Sequence, residues 1–147
     1  MAANAMTLRT WEILGGEKTL GRPVSNQRDL AEAVREGLPH AALESVTRLL
    51  GLSVEALSSS LALSKRTLSR RRTQERLSTV ESDRLLRLAR VAAMAVQVLG
   101  NEQKASEWLK RPNRALANAT PLSELDTDPG ARAVEQLLGR IEHGVFS

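Results

Sequence analysis

Positive charge is concentrated in one short segment, residues 65–76. Six of its twelve residues are Lys or Arg and one is acidic, whereas the whole 147-residue chain has a net charge of only +4. The rest of the chain is therefore net negative by one charge. Such a local concentration is typical of a site for a polyanion. The side chains that could contact phosphates or base edges are Lys65, Arg66, Thr67, Ser69, Arg70, Arg71, Arg72, Thr73 and Arg76.

The basic segment is predicted to be a helix that begins after Ser64, with Lys65 and Arg66 in its first turn. Cations there face the positive end of the helix dipole, which costs about 0.3–1 kcal/mol. The cost is relieved if this end of the helix enters the major groove of DNA. We expect Lys65, Arg66 and Arg70 to reach bases or phosphates, Ser69 and Thr73 to donate to either, and the remaining arginines to neutralise the DNA backbone. The alternative is a solvated basic face.

Enzyme chemistry finds little support in the residue types. The chain has no cysteine, and its two histidines are His40 and His143. Neither has an Asp or a second histidine at the spacing of metal ligands. Asp126 and Asp128 are two residues apart, but Asp128 before a proline is expected to cap a helix. We therefore predict no enzyme activity, no metal and no cofactor.

The elements that must position the basic helix form a helix-turn-helix over about residues 53–73. Ser53 is a suitable N-cap for a first helix that carries Val54, Leu57 and Leu61. Only Ala62-Leu63 separates this helix from the basic one. Two short helices joined by so tight a turn are the usual arrangement of this motif.

A long helix is predicted downstream, over about residues 79–99. Ser78 and Glu81 form a capping box at its start, and Gly100 ends it. Further helices are bounded by Gly37 and Gly51 upstream, and by the start signals Asn101, Thr120-Pro121 and Asp128-Pro129 downstream, with a loop over 113–119. The last helix carries Val134, Leu137, Leu138 and Ile141 and ends near Gly144.

The composition favours an all-α fold. Hydrophobic residues make up 41% of the chain, yet its only aromatic residues are Trp11, Trp108 and Phe146. Sheets favour β-branched and aromatic residues, whereas this chain is rich in Leu and Ala. The length suits one domain or two small lobes with a shared core. Without cysteine, a secretory signal or a 20-residue apolar stretch, the chain is expected to be a soluble intracellular protein.

The C-terminal third carries a distinctive pattern of residues. In order, these are Gly100, Lys104-Ala105, Trp108-Leu109, Pro112-Asn113, Leu116, Thr120-Pro121-Leu122, Leu125, Gly130, Val134, Leu137-Leu138, Ile141 and Gly144. This stretch resembles the toxin-binding domain of antitoxins of the Xre/MbcA/ParS type. Ser64 to Arg72, with Leu77 and Glu81 to Leu85, resembles the Xre-like helix-turn-helix region of the same proteins. The resemblance covers about residues 25–147.

The resemblance implies a type II antitoxin of the bacterial cytoplasm whose partner is a RES-domain toxin that degrades NAD⁺. NAD⁺ would be the toxin's substrate and not a ligand of this chain. An N-terminal extension (1–24), a DNA-binding domain (25–99) and a C-terminal toxin-binding domain (100–147) are expected. The C-terminal domain would occlude the toxin's active site, and the helix-turn-helix would repress the operon of the pair.

Candidate toxin contacts lie at the C-terminus. Phe146 is a large apolar residue beyond the predicted end of the last helix. We predict that it forms a plug with Arg140, His143 and Val145, in which cations suit an anion-binding cleft and the phenyl ring is an apolar anchor. A disordered tail is the alternative. Arg132 and Glu135 are expected on the exposed face of the last helix, whereas Trp108 is expected to pack in the core.

Two further expectations concern the oligomeric state on DNA and an alternative function. A helix-turn-helix binds a single half-site weakly, so two copies are expected on a pseudo-palindromic operator, either through this chain or through a toxin–antitoxin assembly. The alternative function is a stand-alone transcriptional regulator whose C-terminal half dimerises or senses a ligand.

Overall fold

A computed structural model of the chain describes residues 5–63 and 76–144. The described residues form α-helices and two 3₁₀ helices, with one isolated antiparallel bridge between Pro39 and Arg76 and no β-strand. The all-α prediction is confirmed. The α-helices are α1 (Ala5–Ile13), α2 (Gly16–Leu20), α3 (Gln27–Glu36), α4 (His40–Leu50), α5 (Val54–Ser60), α6 (Thr79–Leu99), α7 (Glu102–Leu109) and α8 (Asp128–Glu142).

The helix α6 is the spine of the molecule. Its capping box is formed as predicted: the Ser78 hydroxyl accepts from the Glu81 N–H at 3.1 Å, and the Glu81 carboxylate accepts from the Ser78 N–H at 2.9 Å. Gly100, in the left-handed region, ends it. The buried apolar residues are spread around the helix rather than along one stripe; they are Leu85, Leu88, Ala89, Val91, Ala92, Ala93, Ala95 and Val96. Neighbours therefore pack on α6 from several sides.

Both halves of the chain use this spine. Helices α1 and α3 pack on α6 from the N-terminal half, and α7 and α8 pack on it from the C-terminal half. The halves also touch directly, because the Ser106 hydroxyl of α7 donates to the Leu50 carbonyl of α4 at 2.8 Å. One hydrophobic cluster runs from Trp11 to Leu138.

The first helix is part of the core. Trp11 is only 4% exposed and its indole N–H donates to the Arg22 carbonyl at 3.2 Å, while Leu14 is fully buried. The apolar residues Leu8, Trp11, Ile13 and Leu14 predict a short helix docked on the main body, and α1 is such a helix. In the structure Leu8 is 43% exposed, because Trp11, Ile13 and Leu14 are the apolar residues that face α6.

In the last third of the chain, the structure differs from the sequence prediction in one loop and one helix cap. The predicted loop over 113–119 contains a 3₁₀ helix (Arg114–Leu116), and a second one (Leu122–Asp126) follows Pro121. Asp128 is not the N-cap of α8. Thr127 holds that position, with its hydroxyl accepting from the Gly130 N–H at 3.1 Å, so the Asp128 carboxylate is left to bind Arg132.

Among the described residues, no helix is long and apolar enough to cross a membrane.

Candidate functional site

The first helix of the predicted helix-turn-helix forms as expected. Ser53 caps α5, with its hydroxyl accepting from the Ala56 N–H at 3.2 Å, and Leu57 and Leu61 are buried. The helix ends at Ser60, and Ala62 turns the chain with a φ of +54°. The predicted contacts Lys65, Arg66, Thr67, Ser69, Arg70, Arg71, Arg72 and Thr73 lie outside the described residues.

The spine holds the end of α5 in place. Arg84 of α6 donates to the carbonyl oxygens of Leu61 and Ala62, at 3.3 and 3.2 Å. These carbonyls belong to the end of a helix, where acceptors lack partners within the helix and attract cations. The contacts of Arg84 therefore fix the end of α5, just before the basic segment begins.

Arg76 and Leu77, at the C-terminal end of the basic segment, are also anchored to the rest of the fold. The Arg76 guanidinium donates to the Gly37 carbonyl at 2.8 Å, and the Leu77 N–H donates to the Leu38 carbonyl at 2.7 Å. Gly37 has a φ of +92°, and a Cβ on it would collide with the Leu77 carbonyl, so only glycine fits. Arg76 was predicted to neutralise DNA phosphates. Its bond to Gly37 gives it a structural role as well, which its spacing in the sequence could not reveal.

On α8 the structure brings three predicted contacts together. Arg132, Arg140 and His143 are exposed on one face of this helix, and Gln136 lies between the two arginines. We call these four residues the α8 stripe. The opposite face of α8, which includes Val134 and Leu138, is buried against the core. Gln136 was not among the predicted contacts, although its spacing of four residues from each arginine places it on the same face.

Glu135 is not part of the α8 stripe. Its carboxylate accepts from the Arg90 guanidinium of α6 at 3.0 Å, and its side chain is 27% exposed. Glu135 is thus partly exposed, beside the stripe, and is held by an arginine of the spine. Val145 and Phe146, the apolar half of the predicted plug, lie outside the described residues.

A network of arginines links α8 to α6. Arg132 donates to the Asp128 carboxylate at 2.8 Å within α8. This hydrogen bond, with the positive charges of Arg132, Arg87 and Arg90, lowers the pKa of Asp128 below its ordinary value. Arg87 also donates to the Leu125 carbonyl at 3.3 Å, which ties the second 3₁₀ helix to the spine. In the part of the chain described here, no group of three or more His, Asp or Glu residues could hold a metal ion.

Trp108 lies at the edge of the core. It is half-buried and packs against the hydrophobic core, next to the fully buried Leu109 at the end of α7. Lys110 and Arg111 follow it and are exposed.

Comparison with known protein families identifies both parts of this arrangement. Residues 29–90 match the antitoxin Xre-like helix-turn-helix domain. Residues 94–144 match the C-terminal toxin-binding domain of Xre/MbcA/ParS antitoxins. The chain belongs to the Xre family of antitoxins. It is a type II antitoxin with a helix-turn-helix domain, and the family is one of antitoxins rather than enzymes.

Individual relatives agree with this assignment along most of the chain. The chain is 33% identical over 132 residues to the antitoxin Xre of Yersinia enterocolitica, covering 88% of this chain and 89% of the relative. It is 36% identical, over the same length and coverage, to the antitoxin Xre of Photorhabdus laumondii.

A solved structure shares the fold. It is the Mycobacterium tuberculosis MbcT–MbcA toxin–antitoxin complex, with a TM-score of 0.55 and 24% identity over 74% of this chain and 96% of the matched one. The boundary between the two family domains falls within α6, at residues 90–94, which agrees with a helix that both halves of the antitoxin share.

Proposed function

We propose that this antitoxin neutralises a RES-type toxin that degrades NAD⁺, and that it does so by covering the toxin's active site with its C-terminal domain. We further propose that its helix-turn-helix represses the operon of the pair. The observation that carries the first part is the α8 stripe, an exposed polar face with two arginines within the segment that matches the toxin-binding domain.

The chemistry of the α8 stripe suits the proposed target. Arginine guanidinium groups form paired hydrogen bonds with carboxylates, so the stripe suits acidic side chains at the mouth of the toxin's cleft. The packing of α8 on α6 fixes the helix that carries these side chains before the partner arrives, which lowers the entropic cost of association. His143 is the C-cap of α8, and Val145 and Phe146, which complete the proposed plug, follow it in the sequence.

The inhibitor role is tested by co-expression with the RES-type toxin proposed as the partner. Deletion of residues 140–147 should restore toxicity while the shortened chain still binds operator DNA. Full neutralisation by the shortened chain would refute the plug.

A pair of matched variants tests the α8 stripe without shortening the chain. Arg132→Glu with Arg140→Glu should weaken the toxin complex by roughly a hundredfold or more, as expected for charged contacts at the centre of an interface. Arg111→Glu with Arg114→Glu makes the same change of charge at two other exposed arginines of the toxin-binding domain and should leave affinity nearly unchanged. Equal losses in both variants would mean that net charge, and not the stripe, controls binding.

The repressor role is supported by the matched helix-turn-helix domain and by the two anchors that fix the ends of the basic segment. Arg66→Ala with Arg70→Ala should abolish binding to the operator in a gel-shift series at fixed salt, with the fold intact by circular dichroism. Unchanged affinity would refute this use of the segment. A chain that binds DNA but never co-purifies with a toxin would instead favour the stand-alone regulator.

A further inference from the structure

The C-terminal domain reaches the loop that leads into the helix-turn-helix. Helix α7 packs on α4, and the Ser106 hydroxyl of α7 donates to the Leu50 carbonyl at 2.8 Å. Lys110 follows Ser106 by four residues, so it lies on the same face of α7. Its ammonium lies over Gly51, 3.4 Å from the position that a Cβ on this glycine would occupy. Residues 51–53, which we call the entry loop, connect this point to α5. A cation of the C-terminal domain is therefore held beside the entry loop.

The surface around the entry loop is positive. The loop itself is uncharged, and residues 108–114 contain three cations and no acid; the cations are Lys110, Arg111 and Arg114. All three are exposed. The acids that border the two segments are Glu55 and Glu107, and Glu107 lies 3.8 Å from Arg111. Within the described residues, the Lys110 ammonium forms no ion pair, so its charge is available to a partner.

The geometry of a helix-turn-helix places DNA backbone near the entry loop. In this motif the second helix lies in the major groove, while the first helix crosses the backbone. Here the first helix is α5, and the turn at its C-terminal end leads to the basic segment. The crossing therefore falls toward the N-terminal end of α5, which the entry loop joins. The second 3₁₀ helix also packs on α5, so the C-terminal domain is fixed relative to the element that meets DNA.

We propose that Lys110 binds a backbone phosphate of the operator at the edge of the half-site, so that the toxin-binding domain itself contributes to DNA affinity. A lysine ammonium binds phosphate as a point charge. Its position at the C-terminal end of α4, where the helix dipole favours a cation, holds the ammonium near the entry loop. The inference deepens the proposed repressor role and rests on it.

The salt dependence of DNA binding tests this contact. Binding of the full chain to an operator duplex, and to a scrambled duplex of the same length, is followed by fluorescence anisotropy between about 50 and 200 mM salt. Lys110→Gln should reduce the slope of log affinity against log salt by about 0.9 for each bound chain, because one phosphate contact is lost. Both duplexes should lose affinity by the same factor, since a phosphate contact carries no sequence information. A lysine that only stabilised the end of α4 would affect the melting temperature and leave the slope unchanged.

Two matched variants complete the test. Lys110→Arg keeps the charge at this position and should keep the wild-type slope. Lys104→Gln removes the same charge from an exposed lysine near the start of α7 and should also keep that slope. The cap of α7 survives this change, because Asn101 accepts from the backbone N–H of Lys104. Equal reductions of the slope in Lys104→Gln and Lys110→Gln would mean that net charge controls binding, and would overturn the proposal.

A wild-type slope in Lys110→Gln would also overturn it. If the same variant then bound the toxin more weakly, this surface would belong to the toxin interface and not to DNA. Failure of the repressor role is read separately, as operator binding that survives Arg66→Ala with Arg70→Ala.

Discussion

Gly130 and Gly139 belong to the same helix, α8, but have different surroundings. A Cβ on Gly130 would collide with the backbone carbonyl of Glu124, whereas nothing lies within 4 Å of a Cβ on Gly139. We expect Gly130→Ala to lower the free energy of unfolding by about 1–3 kcal/mol, as overpacking does. Gly139→Ala should raise it by about 0.5–1 kcal/mol, because alanine is the better helix former. Urea denaturation followed by circular dichroism measures both, and a change of the same sign in the two variants would contradict this account.

The residue scale is also where prediction from sequence has its limits. Asp128 before Pro129 is a normal cap signal, yet Thr127 takes the cap and Asp128 binds Arg132. Both residues can cap, so local preference leaves the choice open. The long-range pair of Arg90 with Glu135 joins residues 45 apart in the chain, and no local pattern could indicate it.

At the scale of elements, the turn after α5 carries a strain that can be tested. Ala62 has a φ of +54°, in the left-handed region, which costs a non-glycine residue about 1–2 kcal/mol. We expect Ala62→Gly to raise the melting temperature slightly, because the relieved strain exceeds the extra entropy of glycine in the unfolded chain. Ala62→Val should lower it, because a β-branched side chain fits this region poorly.

Ala117 is the matched control for this turn. It has the same φ of +54° but lies after the first 3₁₀ helix, in the toxin-binding domain. Ala117→Gly should stabilise the fold to a similar extent. Operator affinity, measured by gel shift, should change only in the Ala62 variants, since only that turn leads into the basic segment. An affinity change in Ala117→Gly would argue against a local effect of the turn.

Elements with strong end signals were predictable, and their packing was not. The capping box at Ser78 and the glycine at 100 give α6 the bounds that the sequence predicts, 79–99. A docked helix at α1 was predicted, but the depth of its burial was not, because a nine-residue helix has little local signal and is stabilised by its contact with α6. Likewise, the roles of Arg84 and Arg87 depend on which carbonyls the fold brings near them.

For the whole molecule, the shared spine has a consequence for stability. Because α1, α3, α7 and α8 all pack on α6, neither half keeps a complete core when the other is lost. The two functional regions are thus two surfaces on one cooperative body, with the boundary between the family domains inside α6. A ligand at either surface stabilises the common native state.

The two tryptophans allow this cooperativity to be measured, because Trp11 lies in α1 and Trp108 lies in α7. Each of the variants Trp11→Phe and Trp108→Phe leaves one fluorescent reporter, in the C-terminal and the N-terminal half respectively. In each variant we expect the fluorescence transition in urea to coincide with the transition followed by circular dichroism, as in two-state unfolding. The comparison is made within a variant, so the destabilisation that either substitution causes does not affect it. Two separated midpoints in either variant would mean that the halves unfold independently and that α6 does not unite them.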